Sequence, residues 1–252
     1  MNSTKTLTLV TGANRGMGLE IVKELSQKGQ QVILGARNLA NGQAAIAKLA
    51  QNGLQADLVQ LDVTDPESID QAAQKITAKY GYLTILINNA GAVFDHRQMP
   101  SNISQTNLQA DFALNFFGLI AVTQKMLPLL QKSPQAKIIN ISSMMGSKTE
   151  ALNPTSTVYN ASAVGYQSAK AAANMYTVQL AKELHKKQLP ITVNAIDPGM
   201  VATEFGGVTP ELAKQMGAKP LTTGVARTVE LATDPTDLTT ATFTNTAGTV
   251  AW

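Results

Sequence analysis

The stretch Leu7–Leu25, LTLVTGANRGMGLEIVKEL, predicts a strand, a tight turn and a helix in succession. Its first four residues are apolar or β-branched, as in a buried strand, and the apolar residues at its end recur at helical spacing. The turn between them holds three glycines, Gly12, Gly16 and Gly18. Glycine lets a backbone turn tightly and approach a phosphate closely, and the N–H groups at a helix start attract anions. The stretch therefore predicts a turn that binds a pyrophosphate.

The glycine spacing, Gly-x-x-x-Gly-x-Gly, differs from the G-x-G-x-x-G of the common dinucleotide fingerprint. Taken alone, it also fits an ordinary strand-to-helix turn. Its position at the first such turn of an alternating chain favours the phosphate-binding interpretation.

Strands and helices alternate along the rest of the chain. The predicted strands are Leu7–Val10, Gln31–Ala36, Leu58–Leu61, Leu83–Ile87, Lys137–Ile141, Ile191–Ile196 and Thr240–Thr244. The predicted helices between and after them are Leu39–Gln51, Thr64–Tyr80, Gln109–Leu130, Tyr166–Lys187, Pro210–Met216 and Thr223–Ala232. The second of these starts with Thr64-Asp65-Pro66-Glu67, in which a capping residue is followed by proline at the first helical position and an acidic residue in the first turn. This alternation implies an α/β fold of the Rossmann type, with a doubly wound parallel sheet of about seven strands and helices on both faces. No linker or repeat interrupts it, so residues 1–252 are expected to form a single domain.

Composition excludes several kinds of site. The 252 residues are 44% hydrophobic and 15% charged, as in a globular protein, and include no cysteine for a disulfide or a thiolate metal site. The two histidines, His96 and His185, lie far apart, so no metal site is expected. The net charge of +3 is small, and no nucleic-acid partner is expected. With neither a signal-like segment nor a long uninterrupted apolar span, we expect a cytoplasmic protein with no membrane partner.

Polar or glycine-rich segments follow six of the predicted strands. Besides the glycine turn they are Ala36-Arg37-Asn38, Asp62-Val63, Asn88-Asn89-Ala90-Gly91, Ser142-Ser143 and Asp197-Pro198-Gly199. Ligands of open α/β sheets bind at the carboxyl ends of the strands. Helix capping alone would explain one or two such segments, but it explains all six together poorly. The set therefore predicts a ligand crevice.

An ordered set of motifs resembles the short-chain dehydrogenase/reductase (SDR) family, including its carbonyl reductases. The motifs are Thr11-Gly12-x-x-x-Gly16-x-Gly18, Asn88-Asn89-Ala90-Gly91, Ser143, Tyr166-x-x-x-Lys170 and Pro198-Gly199-x-x-x-Thr203, and they span nearly the whole chain. The resemblance implies the catalytic residues Asn115, Ser143, Tyr166 and Lys170. It also implies a cofactor site formed by Gly12, Asn14, Arg15, Gly16, Met17, Gly18, Arg37, Asn38, Asp62, Val63, Asn89, Ala90, Gly91, Tyr166, Lys170, Pro198, Gly199, Val201 and Thr203.

The chemistry of these residue types agrees with the implied roles. Tyr166 and Lys170 are four residues apart on a predicted helix and so share a face. A nearby ammonium group lowers the pKa of a phenol from about 10, which would make Tyr166 a general acid/base. Ser143 can orient a substrate carbonyl. In the family Asn115 binds a water that connects the lysine to solvent, although its amide would also serve as a tether between helix and sheet.

The choice of cofactor follows from the end of the second strand. NAD-binding sites usually place an acidic residue there for the ribose hydroxyls, whereas this strand ends in Arg37. Arg37 can pair with a 2′-phosphate, and Arg15 in the glycine turn is a second cation at the same corner. The sequence therefore predicts NADP(H).

The substrate is less well defined by the sequence. Phe94, Met144, Met145, Met200 and Phe205 flank the motifs and predict an apolar pocket, although Met144 and Met145 fit core filling equally well. A small carbonyl compound, reduced to an alcohol, is the expected substrate. The alternative is an NADP-binding redox sensor or scaffold without turnover, which the presence of serine, tyrosine and lysine disfavours.

Two features concern surfaces. The segment 146–165 is longer than the usual family connection and is expected to be either a substrate lid or a cover for neighbouring helices. The helices at 109–130 and 166–187 are apolar on more than one face, which predicts a homo-oligomer through them unless that segment covers them.

Overall fold

The computed structural model describes residues 5–95 and 98–252, and over these residues it has one eight-stranded sheet. The strands are β1 (Leu7–Val10), β2 (Gln31–Ala36), β3 (Asp57–Gln60), β4 (Ile85–Asn88), β5 (Ala136–Ile141), β6 (Ile191–Ile196), β7 (Phe243–Asn245) and β8 (Gly248–Thr249). Their order is β3-β2-β1-β4-β5-β6-β7-β8, and every pair is parallel except β7 with β8. The predicted Rossmann-type fold is thus confirmed.

The helices follow the strands in the expected alternation. They are α1 (Gly16–Gln27), α2 (Leu39–Gln51), α3 (Pro66–Lys79), α4 (Gln105–Phe112), α5 (Gly118–Leu130), α6 (Lys148–Leu152), α7 (Val164–Lys186), α8 (Pro210–Gln215) and α9 (Leu221–Thr233). Asp65 caps α3 by accepting a hydrogen bond from Glu67 N (3.0 Å), and Pro66 begins the helix, as the sequence pattern predicts.

Two apolar cores lie on opposite faces of the sheet. One joins the sheet to α3, α5 and α7 through residues such as Ile69, Val122 and Leu180. The other joins it to α1, α2 and α9 through residues such as Ile21, Leu49 and Val225. Because both faces are covered, the central strands are buried along their whole length, and the polar segments lie at their carboxyl ends, where open α/β sheets bind ligands.

The strand order reverses between β1 and β4, which lie side by side although three helices and two strands separate them in sequence. Thr11, just after β1, ties this point together because its hydroxyl oxygen accepts hydrogen bonds from Asn89 N and Ala90 N (both 3.0 Å). Ligands of open α/β sheets bind at such a switch point.

The helix predicted at Gln109–Leu130 begins earlier than expected. Ser104 caps α4, so the helical run extends back to Gln105. It then passes through a π-helical segment, Ala113–Phe117, into α5. Single π turns inside helices are rare and often occur at functional sites; this one contains Asn115.

The last strand also differs from the prediction. The sequence pattern placed a seventh strand at Thr240–Thr244, whereas β7 covers Phe243–Asn245 and pairs with an unpredicted β8. The hairpin forms because the Asn245 side chain accepts a hydrogen bond from Ala247 N (2.8 Å) and Gly248 takes a φ of +124°.

The segment 146–165 contains the short helix α6, which the sequence did not predict. Ser147 caps it by accepting a hydrogen bond from Glu150 N (3.1 Å). Its Thr149 donates from both N and Oγ1 to the carbonyl oxygen of Trp252, whose ring stacks on Phe243. The segment therefore packs against the C-terminal tail.

One helical run, Gln105–Leu130, is long and apolar enough to span a membrane by length and composition, with a mean hydropathy of 1.4. In the structure it packs on the sheet, and Val122, Met126 and Leu130 are fully buried in the core. A helix in the core of a protein meets the same criteria of length and composition, and this run is such a core helix.

Candidate active site

The glycine turn after β1 is shaped for close approach of a ligand. Gly12 and Gly16 have φ angles of +62° and +56°, which side chains disfavour. A Cβ on Gly18 would lie 2.5 Å from Asn89 Nδ2, so this position has no room for a side chain. The helix α1 begins at Gly16 without an acidic residue in its first turn, and Arg15 places no side-chain cap on it. Its N-terminal N–H groups therefore suit an anion.

The segment after β4 holds this turn in place. Asn89 Nδ2 donates to the carbonyl oxygens of Thr11 (2.8 Å) and Gly12 (3.2 Å). A Cβ on Gly12 would lie 2.9 Å from Ala90 Cα, so the two segments touch backbone to backbone. The predicted cofactor residues of the first and fourth strand ends are thus adjacent.

The ends of β2 and β3 carry the other predicted polar residues of the cofactor site. Asn38 caps α2 by accepting from Asn41 N (3.0 Å), and Asp62 accepts from Thr64 N (2.9 Å) and Thr64 Oγ1 (2.7 Å). Arg37 is exposed at the end of β2. Arg15 is also exposed and forms an ion pair with Glu204, a partner that the sequence analysis did not foresee.

The segment after β6 reaches back to the glycine turn. The Cγ2 atom of Thr203 lies 3.6 Å from where a Cβ on Gly16 would stand. Among the remaining predicted cofactor residues, Val63 and Val201 are buried, Asn14, Met17, Gly91 and Pro198 are half-buried, and Gly199 is exposed with a φ of +70°.

The predicted catalytic pair is buried on α7. Tyr166 is 6% exposed and Lys170 is 4% exposed. Lys170 Nζ lies 5.6 Å from the centre of the Tyr166 ring and donates to the carbonyl oxygen of Ile141 at the end of β5 (2.7 Å). Ser143, two residues further on, is half-buried, and its Oγ accepts from Met145 N (3.2 Å).

Burial dominates the ionisation of both groups. It raises the pKa of Tyr166 above its ordinary value, the neighbouring Ser143 hydroxyl opposes the rise, and Asp197 and Asp111 add to it. Burial also lowers the pKa of Lys170 to about 8. The sequence pattern predicts that Lys170 lowers the pKa of Tyr166, whereas in this structure burial of the phenol raises that pKa.

The buried ammonium group leads to a stability prediction. Lys170→Met should raise the melting temperature at pH 7, because it removes a cation that the fold buries at a cost in free energy. The unfolded chain binds more protons than the native one between pH 8 and 10.5, so wild-type stability rises with pH across this window. The difference in melting temperature between Lys170→Met and wild type should therefore shrink between pH 8 and 10.5.

Thermal melts of Lys170→Met and wild type across pH 7 to 10.5 measure this effect. Lys182→Met, which changes an exposed lysine on the same helix, is the matched control and should show no such pH-dependent gap. A Lys170→Met variant that is less stable than wild type at pH 7 would contradict the prediction.

Asn115 links the site to the segment after β4. Its Nδ2 donates to the carbonyl oxygens of Ala92 (2.8 Å) and Asp111 (2.9 Å), and its Oδ1 accepts from Ala92 N (3.3 Å). These bonds join the π-helical segment to the segment after β4. A Cβ on Gly91 would lie 2.9 Å from Asn115 Oδ1 and 3.7 Å from Lys170 Nζ, so the three residues are neighbours.

Two fully buried carboxylates near Tyr166 were missed by the sequence analysis. Asp95 Oδ2 accepts from Gly165 N (3.2 Å), and Asp111 Oδ1 accepts from Phe94 N (3.0 Å). The available signal was a charge inside an apolar helix: Asp111 precedes Asn115 by four residues and so shares its face.

The apolar residues predicted for a substrate pocket divide into two groups. Phe205 is exposed and makes an edge contact with Tyr166, with 5.6 Å between ring centres, and Met200 is also exposed. Met144 instead packs against the small core around Phe243, so core filling is its observed role.

Among the described residues, no three acidic or histidine side chains come together as they would around a metal ion. The candidate imidazole ligand His96 lies outside those residues, and His185 is in the last turn of α7.

The sequence comparison identifies the family. Residues 6–212 match the family model described as short chain dehydrogenase. The chain belongs to the short-chain dehydrogenase family. It is therefore an oxidoreductase.

Individual relatives of this short-chain dehydrogenase span most of its length. The short-chain dehydrogenase anuI of Penicillium roqueforti is 33% identical over 226 residues, which cover 86% of this chain and 87% of that protein. Carbonyl reductase (NADPH) 1 of Sus scrofa is 30% identical over 257 residues, covering 87% and 86%. The crystal structure of NADPH-bound carbonyl reductase from chicken fatty liver superposes with a TM-score of 0.83 at 28% identity, covering 99% of this chain and all of that one.

Proposed function

We propose that this protein is an NADPH-dependent oxidoreductase that reduces a small ketone or aldehyde to an alcohol. The chain would form one NAD(P)-binding domain over 1–252, with the extended segment at 146–165. The observation that carries the proposal is the buried Tyr166–Lys170 pair beside the end of β5.

The cofactor site fits a dinucleotide. The backbone at Gly12 and Gly16 has positive φ, a Cβ on Gly18 would fill the turn, and the start of α1 offers N–H groups to a phosphate. Exposed cations stand at the turn and at the end of β2, where a 2′-phosphate would need them. The NADPH in the names of the carbonyl reductase relatives supports the same choice.

The residues proposed for the cofactor site would each bind the part of the dinucleotide that lies nearest to them. The glycine turn with Asn14, Arg15 and Met17 would hold the phosphates. The ends of β2 and β3, with Arg37, Asn38, Asp62 and Val63, would hold the adenosine part. Asn89, Ala90, Gly91, Tyr166, Lys170, Pro198, Gly199, Val201 and Thr203 would surround the nicotinamide end. A bound nicotinamide supplies the hydride in such chemistry.

The chain's own groups handle the proton and the carbonyl. The Ser143 hydroxyl hydrogen-bonds the carbonyl oxygen and orients it. Tyr166 donates its phenolic proton to the alkoxide as it forms, and because its pKa is raised by burial the phenol carries that proton at neutral pH. Lys170, with a pKa of about 8, is charged at pH 7 and stabilises the phenolate that remains.

The surroundings of Tyr166 favour a compact apolar substrate. Phe205 stands against the phenol ring, and Met200 is exposed in the same segment after β6. Aromatic and thioether side chains adapt to varied apolar groups. A small carbonyl compound with an apolar substituent is therefore the proposed substrate class.

A turnover assay tests this function. The purified chain is mixed with NADPH and a panel of ketones and aldehydes, and the loss of nicotinamide absorbance is followed. Consumption of NADPH with at least one carbonyl is expected. Tight NADPH binding without turnover over the whole panel would instead favour a redox sensor or scaffold.

We also propose a homo-oligomer through the helices at 109–130 and 166–187. Phe117 and Met175 lie on this surface and are 59% and 56% exposed, and large exposed apolar side chains often mark interfaces. Light scattering at micromolar concentration should give more than the monomer mass. Phe117→Asp should shift it towards the monomer, whereas Leu152→Asp, an exposed control on α6, should not.

A monomer mass for the wild-type chain would contradict this oligomer. A cytoplasmic location, with neither a membrane nor a nucleic acid as partner, is proposed from the sequence.

A further inference from the structure

The helix that carries Tyr166 and Lys170 begins without a capping side chain of its own. Its N-cap residue is Ala163, which has no side-chain oxygen to offer. The first four N–H groups of a helix have no partner within the helix and are normally satisfied by a nearby Ser, Thr, Asp or Asn. For α7 that partner has to come from elsewhere in the chain.

A carboxylate from a distant segment fills this place. Asp95, in the segment after β4, accepts a hydrogen bond from the N–H of Gly165 at 3.2 Å. Gly165 is the second residue of α7, and this N–H is one that an ordinary N-cap side chain bonds. Asp95 has no exposed surface, so water does not screen the bond. Its charge also lies at the positive end of the helix dipole.

A second carboxylate fixes the same point sterically. A Cβ on Gly165 would lie 2.4 Å from Asp111 Oδ2, so glycine is the residue that fits. The other oxygen of Asp111 accepts from Phe94 N at 3.0 Å. Asp111 thus contacts both the segment that carries Asp95 and the start of α7. Its backbone carbonyl accepts from Asn115 Nδ2, which joins the same cluster to the predicted catalytic residues.

We propose that Asp95 is a positioning residue: its carboxylate is a remote cap that fixes the N-terminus of α7 and thereby the place of Tyr166. Gly165 directly precedes Tyr166, so any shift of this N–H moves the phenol against Ser143 and the substrate. The role given to Tyr166 here rests on the proposed function. Asp111 supports the arrangement by holding the segment after β4 against Gly165.

Three variants test the cap. Asp95→Ala removes the acceptor, and kcat should fall about tenfold or more while the KM for NADPH changes by less than about twofold, because misplaced catalytic groups lose turnover. Asp95→Asn keeps an oxygen for Gly165 N and should retain kcat within about threefold of wild type. Asp65→Ala is the matched control: it removes the cap of α3, which also bonds the second residue of its helix, and should lower the melting temperature without lowering kcat.

Amide hydrogen exchange gives a readout that does not depend on turnover. The peptide that contains Gly165 should exchange faster in Asp95→Ala than in wild type, and Asp65→Ala should leave it unchanged. An unchanged kcat together with unchanged exchange in Asp95→Ala would overturn the proposal. If Asp95→Ala does not fold, Asp95→Asn decides: near-wild-type kcat supports the cap, and a tenfold loss overturns it.

Failure of the proposed function gives a different result. In that case the wild-type chain itself shows no carbonyl-dependent oxidation of NADPH. The exchange of the Gly165 peptide then still distinguishes a cap from an incidental contact.

Discussion

Replacing Tyr166 with phenylalanine is expected to lower kcat on the order of 10²-fold or more, because the variant keeps the buried ring but loses the proton donor. The loss should appear both in kcat, measured at saturating cofactor, and in kcat/KM, since the proton is needed in the transition state. Cofactor affinity should stay nearly unchanged. Steady-state kinetics and a fluorescence titration with NADPH measure the two quantities separately.

Tyr159→Phe is the matched control for this substitution. Tyr159 is exposed in the segment 146–165 and has alanine, not lysine, four residues later. It should keep wild-type turnover. Wild-type turnover in Tyr166→Phe would show that another group donates the proton.

Replacing Arg37 with aspartate is expected to reverse or erase a preference for NADPH over NADH. The preference itself should amount to at least about 1–3 kcal/mol, the scale of charge-assisted hydrogen bonds, which is roughly 5-fold to 150-fold in kcat/KM. Aspartate would repel a 2′-phosphate and accept hydrogen bonds from ribose hydroxyls instead. At saturating cofactor kcat should stay largely intact, because Arg37 lies at the end of β2, outside the Tyr166–Lys170 cluster.

Kinetics with both cofactors measure this preference in wild type and variant. Lys48→Asp is the control, since it makes the same charge change at an exposed residue in the last turn of α2 and should leave the cofactor ratio unchanged. Equal kcat/KM for NADH and NADPH in the wild-type enzyme would show that neither Arg37 nor Arg15 recognises the 2′-phosphate. The ion pair of Arg15 with Glu204 makes Arg37 the better single substitution.

Local sequence signals predicted the parts of the fold that depend on local chemistry. The start of α3 at Pro66 follows from Asp65 as cap and proline at the first helical position. The parallel sheet follows from buried apolar strands that alternate with amphipathic helices. Even so, the prediction missed the start of α4, because Ser104 caps it one turn before the apolar pattern becomes regular.

Features that depend on distant contacts were beyond the sequence. The hairpin of β7 and β8 forms where Asn245 and Gly248 turn the chain, within a tail too short to show strand periodicity. The bond from Gly165 to Asp95 joins residues 70 positions apart, and nothing near Gly165 in the sequence signals it. The ionisation of Tyr166 is similar, because burial rather than its lysine neighbour dominates, and burial is known only once the helices are packed.

Transfer of deuterium tests the central claim, carbonyl reduction with NADPH, most directly. The enzyme is incubated with a carbonyl compound that it consumes and with NADPH in which both hydrogens of the hydride-donating carbon are replaced by deuterium, and the product is analysed by mass spectrometry. The account predicts an alcohol that carries deuterium on the former carbonyl carbon, formed by the wild-type chain and greatly slowed in Tyr166→Phe. Oxidation of NADPH without deuterium in an alcohol product would contradict it.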